Sequence, residues 1–193
     1  MPADTWLVVG LGNPAGEYGG TRHNIGAAVV TVLADRSAVR LRSHKAKAQS
    51  ASLRTPTHGT PVVLAIPHGY MNTSGGPVQA LAAYLKIPPE RLVIVHDDLD
   101  LDVGVVRLKR GGGTAGHRGL DDVARRLGTR DFLRVRVGIG RPPGRQPARD
   151  YVLKRFPAAQ ADTVAELTER AADAVVDLVD DGLEAAQNRH HGR

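Results

Sequence analysis

The sequence predicts one α/β domain in which helices cover a mixed, mostly parallel central sheet. Short apolar runs, several of them rich in β-branched residues, alternate along the chain with segments whose apolar residues recur at helical spacing. Such alternation is typical of α/β folds. The 193 residues contain no repeat, low-complexity tract or break in composition, so we expect a single compact domain over residues 1–193.

Apolar runs predict the strands, beginning with a Trp-Leu-Val-Val run that glycines follow. The predicted strands lie at residues 7–10, 39–41, 48–53, 62–66, 92–95, 105–108 and 133–139. Helical spacing of apolar residues predicts helices at residues 23–34, 77–85, 120–127 and 162–186. The last helix carries one apolar stripe that we expect to face the core.

The net charge of +6 is unevenly distributed along the chain. Residues 36–89 contain seven Lys and Arg and no acid, and residues 101–155 contain fourteen Lys and Arg against five acids. Residues 157–188 contain eight acids and one Arg. A basic body beside an acidic helix favours a nucleic acid as the partner, although a merely soluble surface remains an alternative.

The composition excludes several classes of protein and site. Cysteine is absent, which excludes disulfides, thiolate nucleophiles and cysteine metal sites. The first five residues lack the basic and apolar regions of a signal peptide, and no apolar run approaches the ~20 residues of a membrane span. We therefore expect a cytoplasmic protein.

His23 is the candidate general base, in a loop and helix start that follow the first predicted strand. Imidazole titrates near neutrality, so it can take a proton from water. Asn13 lies in the same loop, and loops at the carboxyl ends of buried strands commonly carry the chemistry of α/β proteins. The chain has no Gly-x-Ser-x-Gly elbow, which makes direct attack by water the simpler hydrolytic hypothesis.

Asp97 follows the predicted strand at 92–95 and is the candidate partner of His23. A carboxylate there can accept the second ring N–H of the imidazole and stabilise the imidazolium. Asn72 follows the strand at 62–66 and offers both a donor and an acceptor to a carbonyl or a water. Taken alone, each of these residues fits an ordinary turn or helix cap equally well.

A metal site is not expected. The acids at positions 98, 100 and 102 resemble the opening of a calcium-binding EF-hand loop, but Gly104 comes one position late and the twelfth position is Lys109. The start of the helix at Arg118, after three consecutive glycines, suits a phosphate group instead. An exposed helix with ion pairs along it is the alternative.

Several separated motifs together resemble bacterial-type peptidyl-tRNA hydrolase. The motifs, in chain order, are residues 10–14 with 21–26, 71–75, 96–100, 111–120, 134–142 and 185–188. The resemblance covers essentially the whole chain and implies hydrolysis of the ester between a peptide and tRNA. It also implies a monomer that uses no metal or organic cofactor.

The resemblance implies a role for each matching residue. His23 is the base that activates water, Asp97 is its partner, and Asn13 and Asn72 position substrate or water. Met71 gives apolar contact to the peptide. Besides these, the expected substrate-binding residues are Tyr18, Lys109, Arg118 and Arg136, of which Lys109 and Arg136 meet phosphates of the tRNA acceptor end.

The chain departs from the family pattern at Ala15 and Ala115, where the family has Gly, and at Arg118, where it has Asn. Arginine is longer, always charged and has no hydrogen-bond acceptor. An RNA-binding protein that has lost turnover is therefore an alternative hypothesis. A general small-ester hydrolase is another, as is an NADP-dependent oxidoreductase, although the glycines at 10, 12 and 16 fit a dinucleotide loop poorly.

Overall fold

A seven-stranded sheet lies between two layers of helices in a computed structural model that describes residue 2 and residues 4–192. The strands are β1 (Trp6–Gly10), β2 (Arg42–His44), β3 (Ala48–Arg54), β4 (Pro61–Pro67), β5 (Leu92–Asp98), β6 (Val106–Arg110) and β7 (Leu133–Gly138). The helices are α1 (Ala15–Tyr18), α2 (Ile25–Arg36), α3 (Gly75–Leu85), α4 (Arg118–Leu127), α5 (Ala148–Val152), α6 (Ala161–Asp181) and α7 (Leu183–His190).

The strand order is β2-β3-β4-β1-β5-β7-β6. The four central strands, β4, β1, β5 and β7, run parallel to one another. The outer pairs, β2 with β3, β3 with β4, and β6 with β7, are antiparallel. The predicted fold, a single compact α/β domain on a mixed sheet with a parallel centre, is confirmed.

The central strands are apolar at successive positions because both faces of the sheet are covered. Along β1, Leu7 and Val9 pack into the cluster formed with α3 and α4, whereas Val8 between them packs into the cluster formed with α2, α6 and α7. Alternate side chains of a strand point to opposite faces. Each apolar run therefore contributes to two cores at once.

Two of the predicted strands differ from the structure by more than two residues, whereas the other five agree to within two residues at each end. The strand predicted at 39–41 is wrong: Val39 and Leu41 pack against the core from a connection that follows Ala38, and β2 begins at the next residue. The strand predicted at 92–95 continues through Asp98, because its pairing with β7 extends to Gly138. The residues of this continuation are polar, so the sequence did not indicate that they belong to a strand. Asp97 therefore lies inside β5.

The final helical segment is two helices, so the single helix predicted over 162–186 is wrong. Gly182 separates α6 from α7 with φ 85° and ψ 173°, a backbone conformation outside the helical region. The turn allows α7 to pack on β6. Within the described part of the chain, no helix combines the length and the apolarity that crossing a membrane requires.

Candidate active site

A cavity of about 720 Å³ opens at the carboxyl ends of β1, β4 and β5. Ligand sites of α/β sheets lie at this edge. Seven of the predicted site residues line it, namely Asn13, Tyr18, His23, Met71, Asn72, Asp97 and Arg118. The cavity thus brings together residues from segments that are far apart in the chain.

The Asp97 carboxylate lies between two imidazoles. Nδ1 of His23 is 2.9 Å from both carboxylate oxygens, and Nε2 of His117 is 2.9 Å from Oδ1. The Asp97 side chain is only 3% exposed. Burial by itself raises the pKa of this carboxyl, but the charges and hydrogen bonds of His117 and His23 outweigh it and hold the pKa well below its usual range.

The hydrogen bonds determine which nitrogen of each ring carries a proton. Nδ1 of His117 accepts the backbone N–H of Leu120 at 3.3 Å, as the N-cap of α4. The proton of His117 therefore resides on Nε2, which donates to Asp97. His23 likewise donates through Nδ1, so its Nε2 keeps a lone pair on the cavity side, with no hydrogen-bond partner among the described residues.

His23 reaches Asp97 because α2 approaches β5 unusually closely. His23 lies in a 3-10 turn (Arg22–Asn24) directly before α2. At Gly26, in the first turn of α2, an added Cβ would lie 2.2 Å from the carbonyl oxygen of Val95 in β5. Only glycine leaves room for this backbone contact, which seats the turn carrying His23 against the end of β5.

The Asn13 amide is held in one orientation by its neighbours. Its Oδ1 accepts the backbone N–H of Met71 at 2.8 Å. Asn24 clamps the backbone of Asn13 by donating to its carbonyl and accepting from its N–H, each at 2.9 Å. Since Oδ1 is occupied, the Nδ2 group of Asn13 is the donor that remains for the cavity.

An aromatic and thioether wall forms one side of the cavity. Tyr18 and Tyr70 meet edge to face, with ring centroids 6.3 Å apart. Met71, the next residue, is buried, whereas Asn72 beside it is exposed at the rim. The wall offers apolar contact beside amide donors and acceptors, a combination that suits a peptide chain.

Lys109 and Arg136 lie outside the cavity, in a separate basic cluster with Arg134 on β6 and β7. Burial, followed by the charges of Arg134 and Arg136, lowers the pKa of Lys109. Nε of Arg136 donates to Asp98 at 2.8 Å. Three cations around one carboxylate leave excess positive charge, which is the requirement for binding a phosphate.

The cluster of His23, Asp97 and His117 resembles a metal site in spacing only. Its candidate ligand atoms lie within 4.8 Å of one another. However, Nε2 of His117 carries the proton, because Nδ1 is occupied by the N–H of Leu120. A protonated nitrogen cannot ligate a metal, so this arrangement favours protons, and not a cation, between the three groups.

Residues 7–193 match the family model described as peptidyl-tRNA hydrolase. The chain belongs to the peptidyl-tRNA hydrolase family. The resemblance drawn from the motifs is therefore confirmed. The match extends over the whole cavity, from the loop after β1 to α5.

Named relatives and a solved structure match this chain over nearly its whole length. The chain is 54% identical to the peptidyl-tRNA hydrolase of Frankia alni over 193 residues, covering 99% of this chain and 97% of the relative. It is 53% identical to that of Nocardia farcinica over 185 residues, covering 96% and 95%. The crystal structure of peptidyl-tRNA hydrolase from Acinetobacter baumannii has a TM-score of 0.88 at 36% identity, covering 98% of this chain and 95% of that chain.

Sequence reasoning missed two residues of this family member's site. The pattern around His117 indicates only the start of a helix, and its contact with Asp97 depends on the pairing of β5 with its neighbours. His96 is fully buried beside His117, with ring centroids 5.1 Å apart, and its Nδ1 donates to the backbone carbonyl of Asp97 at 2.7 Å. Both histidines lie inside the matching motifs at 96–100 and 111–120, but nothing in the sequence indicates that they contact Asp97.

Proposed function

We propose that the chain hydrolyses the ester bond between peptide and tRNA in peptidyl-tRNA, with a water molecule activated by His23. The observation that carries the proposal is the hydrogen bond from Nδ1 of His23 to buried Asp97, which leaves Nε2 free at the cavity. A neutral imidazole with a fixed Nε2 lone pair is the form that a general base needs.

In the proposed reaction, Nε2 of His23 takes a proton from water as the water oxygen bonds to the ester carbonyl carbon. Asp97 stabilises the imidazolium that forms. The tetrahedral intermediate then collapses, the bond from carbon to the ribose oxygen breaks, and His23 returns the proton to that oxygen. The products are the free peptide acid and tRNA with its terminal hydroxyl restored.

The amides supply the polar contacts of this reaction. Nδ2 of Asn13 is oriented by the bond from Met71 N–H to Oδ1, so it can donate to the carbonyl oxygen as negative charge develops there. In the proposed reaction Asn72, exposed at the rim of the cavity, holds the attacking water through its acceptor oxygen. Preorganised donors of this kind lower the barrier without having to reorient.

Water is the proposed nucleophile because no serine or cysteine lines the described cavity. The aliphatic hydroxyl that does line it, that of Thr114, donates to Asp121. That hydroxyl is therefore engaged in a bond pointing to α4, with no imidazole partner to activate it. No metal or organic cofactor enters the proposed reaction.

The two halves of the substrate are proposed to lie on opposite sides of His23. Tyr18 and Met71 belong to the wall that contacts the peptide, on the β4 side of the cavity. Lys109 and Arg136 lie on the other side, on β6 and β7, and bind phosphates of the acceptor end. In this arrangement the basic residues of β6 and β7 bind the tRNA, while the ester is hydrolysed in the neighbouring cavity.

Arg118 begins α4 and stands exposed at the rim of the cavity. We propose that its guanidinium binds a phosphate or carbonyl oxygen of the substrate, since it has only donors to offer. Arg118→Asn should then raise KM several-fold and leave kcat within about threefold. A large gain in kcat in that variant would mean that the arginine obstructs the water site.

The test is release of tRNA from N-blocked aminoacyl-tRNA by the natural chain and by His23→Ala. Loss of the general base should lower kcat by about 10²- to 10⁴-fold. His58→Ala is the matched control, because His58 is exposed and faces Asp181 on α6 at 3.8 Å. Equal loss in both variants, or equal turnover of a simple aryl ester, would contradict the proposal.

We further propose that the chain acts in the cytoplasm as a monomer. The proposed substrate is a product of translation, and the seven predicted cavity residues all come from a single chain. Sedimentation equilibrium at the concentration of the activity assay measures the oligomeric state. A dimer whose dissociation abolishes turnover would contradict the monomer.

A further inference from the structure

A half-exposed tyrosine is held among basic side chains at the end of the hairpin formed by β2 and β3. Tyr84, in the last turn of α3, is 56% exposed. Nζ of Lys45 lies 4.2 Å from the centroid of its ring, and the His44 ring centroid lies 5.0 Å away. Together with Arg42 and Lys47, these residues are called the hairpin patch below.

The positive charge of the hairpin patch is uncompensated within the described part of the chain. Arg42, Lys45 and Lys47 are exposed, and no acid lies within ion-pair distance of them there. Arg36, from the same acid-free segment, is by contrast paired with Asp173 at 2.7 Å. The acid-free composition of residues 36–89 thus includes a local positive surface at this hairpin.

The hairpin patch is separate from the proposed phosphate-binding cluster. Ala48 pairs with Pro67 at the carboxyl end of β4, so the turn of the hairpin shares an edge of the sheet with the cavity. In the strand order, however, β3 and β7 lie on opposite sides of β1 and β5. Four strand spacings of about 4.8 Å place the two basic surfaces about 20 Å apart.

We propose that the hairpin patch binds an unpaired segment of RNA, with a base stacked on the Tyr84 ring in place of the Lys45 ammonium that lies over it, and phosphates on Lys45, Lys47 and Arg42. Every base has a π-face, so an exposed aromatic ring flanked by cations binds single strands with little sequence preference. An acidic peptide would satisfy the charges but would gain little from the exposed ring. This contact is additional to ester hydrolysis and does not depend on it.

The probe is a short fluorescein-labelled oligoadenylate with a 5′-hydroxyl, whose binding is followed by anisotropy at several salt concentrations. Tyr84→Ala should weaken binding roughly tenfold, and Tyr84→Phe should restore it. Lys45→Gln should weaken binding several-fold and reduce the salt slope by about 0.7. Turnover of N-blocked aminoacyl-tRNA should stay within twofold in all three variants.

Arg54→Gln is the matched control for charge. It removes one positive charge from the same hairpin, but at the far end of β3, where Arg54 donates to the carbonyl of Gly59. The melting temperature of each variant shows whether the fold is retained. Because Tyr84 is exposed, Tyr84→Ala should not lower the melting temperature.

Three results would overturn the proposal. One is a loss of affinity in Tyr84→Ala no larger than that in Arg54→Gln. The second is abolition of oligoadenylate binding by Lys109→Gln, which would assign the binding to the phosphate cluster. The third is equally tight binding of polyglutamate with the same dependence on Tyr84, which would make the partner an acidic protein segment.

Discussion

Replacing Asp97 by Asn should convert His23 to the wrong tautomer. The N–H of Leu120 donates to Nδ1 of His117, so the proton of His117 stays on Nε2 and needs an acceptor. The amide oxygen of the new side chain, at the position of Oδ1, accepts this hydrogen bond. The amide nitrogen then occupies the position of Oδ2, 2.9 Å from Nδ1 of His23, and donates to it, while the amide oxygen, also 2.9 Å from Nδ1, already accepts from His117. Nδ1 becomes an acceptor, the proton moves to Nε2, and His23 loses the lone pair that takes a proton from water.

The magnitude follows from the loss of the base without a change in the shape of the site. An equivalent amide for carboxylate change in a serine protease triad lowers kcat by about 10⁴-fold through the same tautomer error. We expect kcat to fall by about 10³- to 10⁴-fold, or about 4–5.5 kcal/mol of transition-state stabilisation. KM should change little, because the Asp97 side chain is only 3% exposed and its carboxylate is bonded to the imidazoles of His23 and His117.

The assay is single-turnover cleavage of N-blocked aminoacyl-tRNA, with the tautomer of His23 read from its ring nitrogen shifts by NMR. The double variant Asp97→Asn/His117→Phe removes the competing donor, so the amide oxygen can turn to Nδ1–H of His23. It should recover at least about tenfold of the lost rate. A single variant within tenfold of the natural chain, or a double variant slower than the single one, would refute the reasoning.

Three further predictions concern packing, phosphate binding and pH. Gly26→Ala should destabilise the fold by at least about 2 kcal/mol and lower kcat, because the added Cβ would meet the backbone of β5. Gly16→Ala is the control and should do neither, since a Cβ there meets open space. Urea denaturation measures the stability of both variants, and the cleavage assay measures their kcat. Lys109→Gln should raise KM and make log(kcat/KM) less dependent on log salt by about 0.7–0.9, with exposed Lys154→Gln as the control that shows no such change. Burial and then a neighbouring imidazole place the pKa of His96 well below its ordinary value, so below about pH 6.5 the unfolded chain binds a proton that the native chain does not. The free energy of unfolding should therefore fall as pH decreases from about 6.5, by up to about 1.4 kcal/mol per pH unit for this group, and His96→Gln should flatten that slope in denaturation curves between about pH 5 and pH 7.5.

The elements that the sequence predicted well are those whose residues are buried on both sides. The runs at β1 and β4 and the apolar part of β5 are apolar at successive positions, and few structures other than a covered strand accommodate this. β2 was misplaced because its own residues are exposed, while the apolar pair Val39 and Leu41 before it packs on the core without joining the sheet. The hydrophobicity of a segment therefore indicates that it is buried, but not whether it pairs with a neighbouring strand.

Local patterns and motifs in a particular order were enough to predict the fold class, the family and the candidate base. Tertiary structure alone decided that His117 shares Asp97 with His23, residues 20 and 74 positions away from it. It also decided that two basic surfaces lie on opposite sides of the cavity, since strand order separates them. Hydrogen bonds and charge clusters of this kind depend on which segments, far apart in the sequence, pack against one another. No local sequence pattern specifies that packing.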